Sequence, residues 1–212
     1  AAFISTLAAF GAGFVARPFG GVLFGRLGDL IGRKYTFLLT LMLMGGSTFA
    51  IAFIPSYEKI GLVAPAILLL LRIIQGLALG GEYGGAATYV AEYAPDAERG
   101  KYTSYIQTTA TIGFFVSILV ILVTQRLMGD AVFKDWGWRV PFALSGILVV
   151  VSYFIRRNMD ESPLFSKLKA EGRLSENPLK EAFASKANRR LMLIAMFGAI
   201  VGQGVVWHTG QF

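Results

Sequence analysis

An all-α protein that crosses a membrane several times is what this sequence predicts, on three observations. Of its 212 residues 55% are hydrophobic and only 16% charged, and the mean hydropathy of +0.59 lies far above the balance of a soluble domain. The apolar residues are gathered in blocks, and residues 35 to 57, 102 to 125 and 191 to 212 carry no charge at all. Those blocks are continuous rather than alternating apolar with polar, so each satisfies its backbone as a helix and not as a strand of a closed barrel. A 23-residue helix spans roughly 35 Å, enough for a hydrocarbon core of about 30 Å with some tilt.

Six membrane helices follow in order. The first covers the uncharged run 1 to 16 and continues through Arg17 and Pro18 into RPFGGVLFG. Proline there frees a carbonyl and invites a kink, and Arg17 either serves a gate or cavity at that hinge or snorkels to the interface. The second is 35 to 57. The third, 64 to 91, is interrupted only by Arg72 and Glu82. The fourth is 102 to 125, where Ser104, Gln107 and Thr111 recur at i, i+3 and i+7 as one polar stripe expected to face a cavity or another part of the protein. The fifth, 140 to 155, offers only Ser145 and Ser152 besides its apolar and aromatic side chains, as expected of a peripheral, lipid-facing helix. The sixth is 191 to 212.

The basic residues between these helices set the orientation. Loop 25 to 34 holds three Lys or Arg, loop 92 to 101 two, and the stretch 156 to 190 nine, whereas the opposite side has four: Lys59, Arg126, Lys134 and Arg139. By the positive-inside rule the first side is cytoplasmic, so the net charge of +7 is a topology signal and not a nucleic-acid footprint. With no cysteine there is no disulfide frame or thiolate metal site, and no metal or cofactor is expected. A basic n-region followed by a cleavage site is absent, so the first segment reads as a retained helix. The chain opens without Met and stops inside an apolar run, which reads as a piece of a longer protein.

Arg17 and Arg72 are the only basic residues left within the helices. Arg72 lies about seven residues, or roughly 10 Å, into a helix that starts near Pro65, where a charge costs on the order of 3 kcal/mol. Either it faces a cavity, where it binds a carboxylate or pairs with a protein acid as the protein changes state, or it snorkels or stands as a permanent strut. Gln75 shares its face, and Gly76 and Gly80 form a GxxxG pair that lets another helix approach. Glu82 lies two to three turns on, within reach of Arg26, Arg33 or Arg99.

The stretch GRLGDLIGRK, 25 to 34, is a short turn between the first two helices. Gly25, Gly28 and Gly32 permit close backbone approach or special dihedrals, Asp29 can take a helix N-terminus or an Arg, and Arg33 can reach carboxylates or carbonyls. The pattern G-x-x-x-D-x-x-G-R-K after RPFGGVLFG resembles the cytoplasmic signature of the major facilitator superfamily. RIIQGLALGGEYGGAATYVAEYAPDAERG resembles the fourth helix and following loop of its metabolite and proton symporter family, and RRNMDESPLF resembles that family's Arg, Glu-Ser-Pro and Phe pattern after helix six.

The resemblance implies helices two to seven of a twelve-helix transporter. Residues 1 to 156 would form most of the N-terminal bundle, 157 to 190 a cytoplasmic linker between the halves with two short amphipathic helices, and 191 to 212 the start of the C-terminal bundle. It implies a substrate or coupling set of Arg17, Arg72, Gln75, Gln107, Gln203, Trp207 and His208. Asp29, Arg33, Arg26, Glu82, Glu92, Arg99 and Glu161 form an expected inner-gate ion-pair network, the alternative being unrelated solvated charges at the interface, with Gly25, Gly32, Gly76 and Gly80 as packing positions. His208 departs from the family, which tends to carry Tyr after this Trp, so it serves either coupling or packing and substrate contact.

An enzyme would need a cluster of nucleophile and base or of metal ligands, and one His with no Cys and no HExxH supplies none. An ATP-driven pump would need G-x-x-x-x-G-K-[ST], which does not occur. The expectation is a monomeric, multi-pass protein of the inner membrane that moves a small organic acid, a mono- or dicarboxylate, together with protons. A proline- or betaine-type osmolyte symporter is the alternative, followed by a facilitator or receptor of the same fold.

Overall fold

A computed structural model describes residues 2–200. In chain order its helices are α1 (Ala2–Ile31), α2 (Arg33–Ile51), α3 (Tyr57–Ile60), α4 (Val63–Tyr93), α5 (Arg99–Met128), α6 (Asp130–Val132), α7 (Arg139–Arg157), α8 (Pro163–Ala170), α9 (Pro178–Ala184) and α10 (Lys186–Ile194). A π-helical turn, Phe133–Gly137, leads towards α7, and another, Ala195–Ile200, continues α10. No strand occurs among the described residues.

Among the described residues four stretches are long and apolar enough to cross a membrane: Arg33–Ile51, Val63–Tyr93, Asp96–Met128 and Arg139–Arg157. Helix α1 matches them in length at 30 residues and runs on through Pro18. Of the expected sixth span only the start is described, because 201–212 lies outside the described residues.

Local chemistry places the breaks. Gly32 alone separates α1 from α2, at φ +109, a backbone region that side-chain-bearing residues rarely adopt. Pro95 follows the last turn of α4 and biases the residue before it away from helix, and Gly129 at φ +77 ends α5 with its N–H on the Gln125 carbonyl. Ser162 caps α8 by accepting the Phe165 N–H at 3.1 Å, with Pro163 in the first helical position.

The tightest crossing is α1 against α4, and glycine makes it possible. A methyl added at Gly76 or Gly80 would overlap the carbonyl oxygen of Gly13 or Arg17, and one at Gly20 that of Leu77. Helix α2 packs on α4 and α7, where Phe49 lies over Gly146 and Val149 over Gly45. By contrast α5 buries only Thr124, and α5 and α7 expose Phe114, Phe115, Leu119, Ile147, Leu148 and Phe154. Such continuous apolar surface suits lipid or further helices and not water.

The chain divides into two compact units, Ala1–Gly172 and Arg173–Phe212. Helix α8 belongs to the first, where Phe165 is buried, and α9 and α10 belong to the second. Linker residues Gly172, at φ +66, and Asn177, before Pro178, stand where the chain leaves α8 and begins α9.

Candidate transport site and gate cluster

Arg72 sits in the first half of α4. Its Nη1 donates to Gln75 Oε1 at 3.2 Å, and Gln75 Nε2 donates to Thr48 Oγ1 at 3.0 Å on α2. The Thr48 hydroxyl in turn donates to the Met44 carbonyl at 2.8 Å, so the chain of donors is complete. Arg17, one crossing away on α1, lies with its guanidinium carbon 3.7 Å from the centre of the Phe14 ring. Its Nε is buried with no hydrogen-bond partner.

Both arginines line one cavity of about 250 Å³ together with Thr48, Gln75, Gly76 and Phe142, and among the described residues no acidic side chain lines it. Two guanidinium groups on one small cavity give it a positive field suited to an anion, with hydrogen-bonding groups for its oxygens. Arg72 also forms part of the wall of a recess of about 570 Å³ lined by Tyr57, Pro65, Asp135, Trp138 and Arg139. Gln107, on α5, accepts from Tyr83 Oη at 3.2 Å and is not among the lining residues of the arginine cavity. Ser104 and Thr111 of the same stripe bond their own helix, to the Lys101 and Gln107 carbonyls. The expected site residues Gln203, Trp207 and His208 lie outside the described residues.

A second cluster gathers at the other end of α1 and α4. Arg33 pairs with Asp29 at 2.8 Å and reaches Glu92 at 3.8 Å. The Glu161 carboxylate accepts the backbone N–H of Arg33 at 2.8 Å, of Lys34 at 3.2 Å and of Ser162 at 3.0 Å, so it caps the first turn of α2. The Ser162 hydroxyl donates to Glu92, tying that carboxylate to the same loop. Tyr89 and Tyr93, one helical turn apart on α4, donate to the carbonyls of Asp160 and Glu161 at 2.9 and 3.0 Å. A cavity of about 310 Å³ beside the cluster is lined by Asp29, Arg33, Thr36 and a run of glycines from α1 and α4.

Three members of the expected network stand elsewhere. Glu82 pairs with Arg156 of α7 and not with Arg26, Arg33 or Arg99, because its position on α4 turns it towards α2 and α7. Arg99 bonds its neighbours, Asp96 at 2.5 Å and the Ala91 carbonyl at 2.8 Å, closing the short loop between α4 and α5. Arg26 is exposed and makes no ion pair among the described residues. Among the glycines expected to serve packing, Gly25 is exposed with open space at its Cβ position, and Gly32 gives room to the Glu161 carboxylate, with the Phe165 ring of α8 beside it.

Tyr89 and Tyr93 enter the sequence reading only within the RIIQGLALGGEYGGAATYVAEYAPDAERG stretch, and Arg156 and Ser162 within RRNMDESPLF, with no partner assigned. The charge count places Arg156 with Arg157 on the cytoplasmic side, and the two point about 100° apart on a helix, so they can meet different surroundings. In α7 the exposed one is Arg157.

The sequence profile of the sugar (and other) transporter family matches residues 3–191. The chain belongs to that family. It is 42% identical over 196 residues to the alpha-ketoglutarate permease of Escherichia coli (strain K12), covering 91% of this chain and 43% of that protein. It is 40% identical over 164 residues to the proline/betaine transporter of the same strain, covering 77% of this chain and 33% of that one. The partially occluded, inward open xylose transporter XylE from E. coli superposes with a TM-score of 0.66 at 23% identity, over 80% of this chain and 42% of that structure, which shows a shared fold. The chain therefore spans less than half the length of these relatives and forms part of a major facilitator fold, in a multi-pass membrane protein.

Proposed function

We propose that this chain is part of a secondary transporter of the inner membrane that carries a small organic anion, a mono- or dicarboxylate, inward with protons by alternating access. The observation that carries the reading is the cavity shared by Arg17 and Arg72, which has two guanidinium groups and, among the described residues, no acid in its lining. A fork-shaped cation in a low-dielectric cavity favours a carboxylate, and a co-moving proton offsets the charge that an anion carries against an inside-negative potential. Gln75 orients Arg72. Asp29, Arg33 and Glu92, held by Glu161, serve as the inner gate on the cytoplasmic side. The transporter works as a monomer in the lipid bilayer, without a cofactor and without enzymatic chemistry.

A second reading has a specific support: the proline/betaine transporter is nearly as similar as the alpha-ketoglutarate permease, and zwitterionic osmolytes also present a carboxylate to an arginine. One experiment separates the two. A labelled panel of α-ketoglutarate, citrate, shikimate and glycine betaine is offered to vesicles bearing the protein, with an inward proton gradient imposed. Selective accumulation of an organic acid that disappears when the gradient is collapsed is expected. Selective accumulation of betaine would transfer the assignment to the osmolyte reading, and indifference to the gradient would remove proton coupling.

A further inference from the structure

The two ionic groups near the α2 N-terminus differ in kind. Arg156 donates one arm to Glu82 and another to the Phe37 carbonyl at 3.0 Å, with its guanidinium carbon 5.4 Å from the centre of the Phe37 ring. It thereby joins α7 to both α2 and α4, and the side chains of Arg156 and Glu82 are only 23% and 15% exposed. The second Glu82 oxygen is buried without a partner, so the carboxylate depends on Arg156 for its compensation. Parting the two would leave opposite charges uncompensated within membrane-spanning helices.

Arg33 is held loosely by comparison. Its close partner Asp29 is 41% exposed, Glu92 stands at 3.8 Å, beyond hydrogen-bond distance, and the Arg33 Nε is buried without an acceptor. A cation with an unused donor and a solvent-accessible partner can exchange acids at small cost, and a buried pair with two supporting contacts cannot.

We propose that the Glu82–Arg156 pair is a fixed clamp, closed throughout the change of access, and that Arg156 is a positioning residue for the Asp29–Arg33–Glu92 cluster. Arg156 precedes Glu161 by five residues, and the intervening backbone is pinned by Tyr89 on Asp160. Where α7 ends therefore decides where the Glu161 carboxylate lands on the first turn of α2, and so where Arg33 begins. This inference rests on the alternating-access reading above.

The sequence has no cysteine, so introduced pairs are uniquely reactive within this chain. Glu82→Cys with Arg156→Cys removes the clamp, and a short bifunctional thiol reagent restores it. A linker is needed because glutamate and arginine side chains end to end exceed the roughly 7 Å between Cα atoms that a disulfide bridges. Before linking, the maximal uptake rate is expected to fall at least fivefold with KM within twofold of the original, since the arginine cavity is untouched. Linking is expected to restore at least half the rate. Loss of the remaining uptake on linking, or a change confined to KM, would overturn the clamp.

Should that double variant fail to insert, Phe49→Cys with Gly146→Cys keeps both charges and joins α7 to α2, the second helix that Arg156 reaches, and linking it is expected to leave uptake unchanged. Blocked uptake overturns the proposal. Absence of uptake of every panel compound by the unmodified protein defeats the transport reading alone. The clamp is then judged by cross-linking yield with and without the proton gradient: equal yields support it, and unequal yields overturn it.

Discussion

The Glu161 carboxylate occupies the space that a side chain on Gly32 would fill. A methyl there would overlap Glu161 Oε2 and lie 2.9 Å from its Cδ, and Gly32 also holds φ at +109. The missing Cβ lets an acid from the loop between α7 and α8, 129 positions along the chain, reach the first two N–H groups of α2. One glycine thus serves both the sharp turn between α1 and α2 and the capping of α2.

Gly32→Ala is therefore expected to cost about 1–3 kcal/mol from the backbone conformation alone, and more from the displaced cap. Glu161→Gln, which keeps the shape and loses the charge at the helix N-terminus, is expected to cost about 1 kcal/mol. Thermal unfolding of the two variants in detergent checks the order. A Gly32→Ala protein as stable as the original would show that the backbone there relaxes.

Gly25 and Gly80 give a matched pair of helix positions. Gly80→Ala drives a methyl into the Arg17 carbonyl across the α1–α4 crossing, whereas Gly25→Ala meets open space and gains up to about 1 kcal/mol of helix propensity. Membrane abundance of the Gly80 variant should fall severalfold while that of the Gly25 variant holds or rises. Equal abundance would mean that the helices part easily.

Arg72→Ala is expected to abolish uptake, and Arg72→Lys to retain little, because an ammonium keeps the charge without the planar fork that meets both Gln75 and a carboxylate. Quantitative blotting of the membrane fraction must accompany the uptake assay. If both variants lose abundance in proportion to uptake, Arg72 is a structural strut and not a substrate contact.

Asp29→Asn should slow uptake at least fivefold with insertion intact, since it weakens the one close ion pair that Arg33 makes. Arg99→Ala serves as the contrast. Its pair with Asp96 joins side chains 51% and 92% exposed, the kind of contact whose loss costs little. Initial rates measured side by side decide the matter, and a larger defect in the Arg99 variant would relocate the gate.

Much of this protein was determined by its sequence alone. Uncharged runs long enough to span a bilayer specify helices, and the asymmetry of Lys and Arg between them specifies an expected orientation, because both depend on transfer free energies that each residue carries with it. Gly32, Gly129 and Pro95 mark their breaks by local backbone sterics. What only the tertiary structure decided is which charge meets which. Glu82 and Arg156 are 74 positions apart, and their meeting depends on the rotation and depth of α4 and α7, set by glycine contacts such as Gly76 on Gly13 and Phe49 on Gly146. The same rotations bring Arg17 and Arg72 to one cavity and leave Arg26 at the surface. Periodicity names the face of a helix on which a residue lies, but the neighbour opposite that face is chosen by close packing over the whole bundle, and no single segment contains that information.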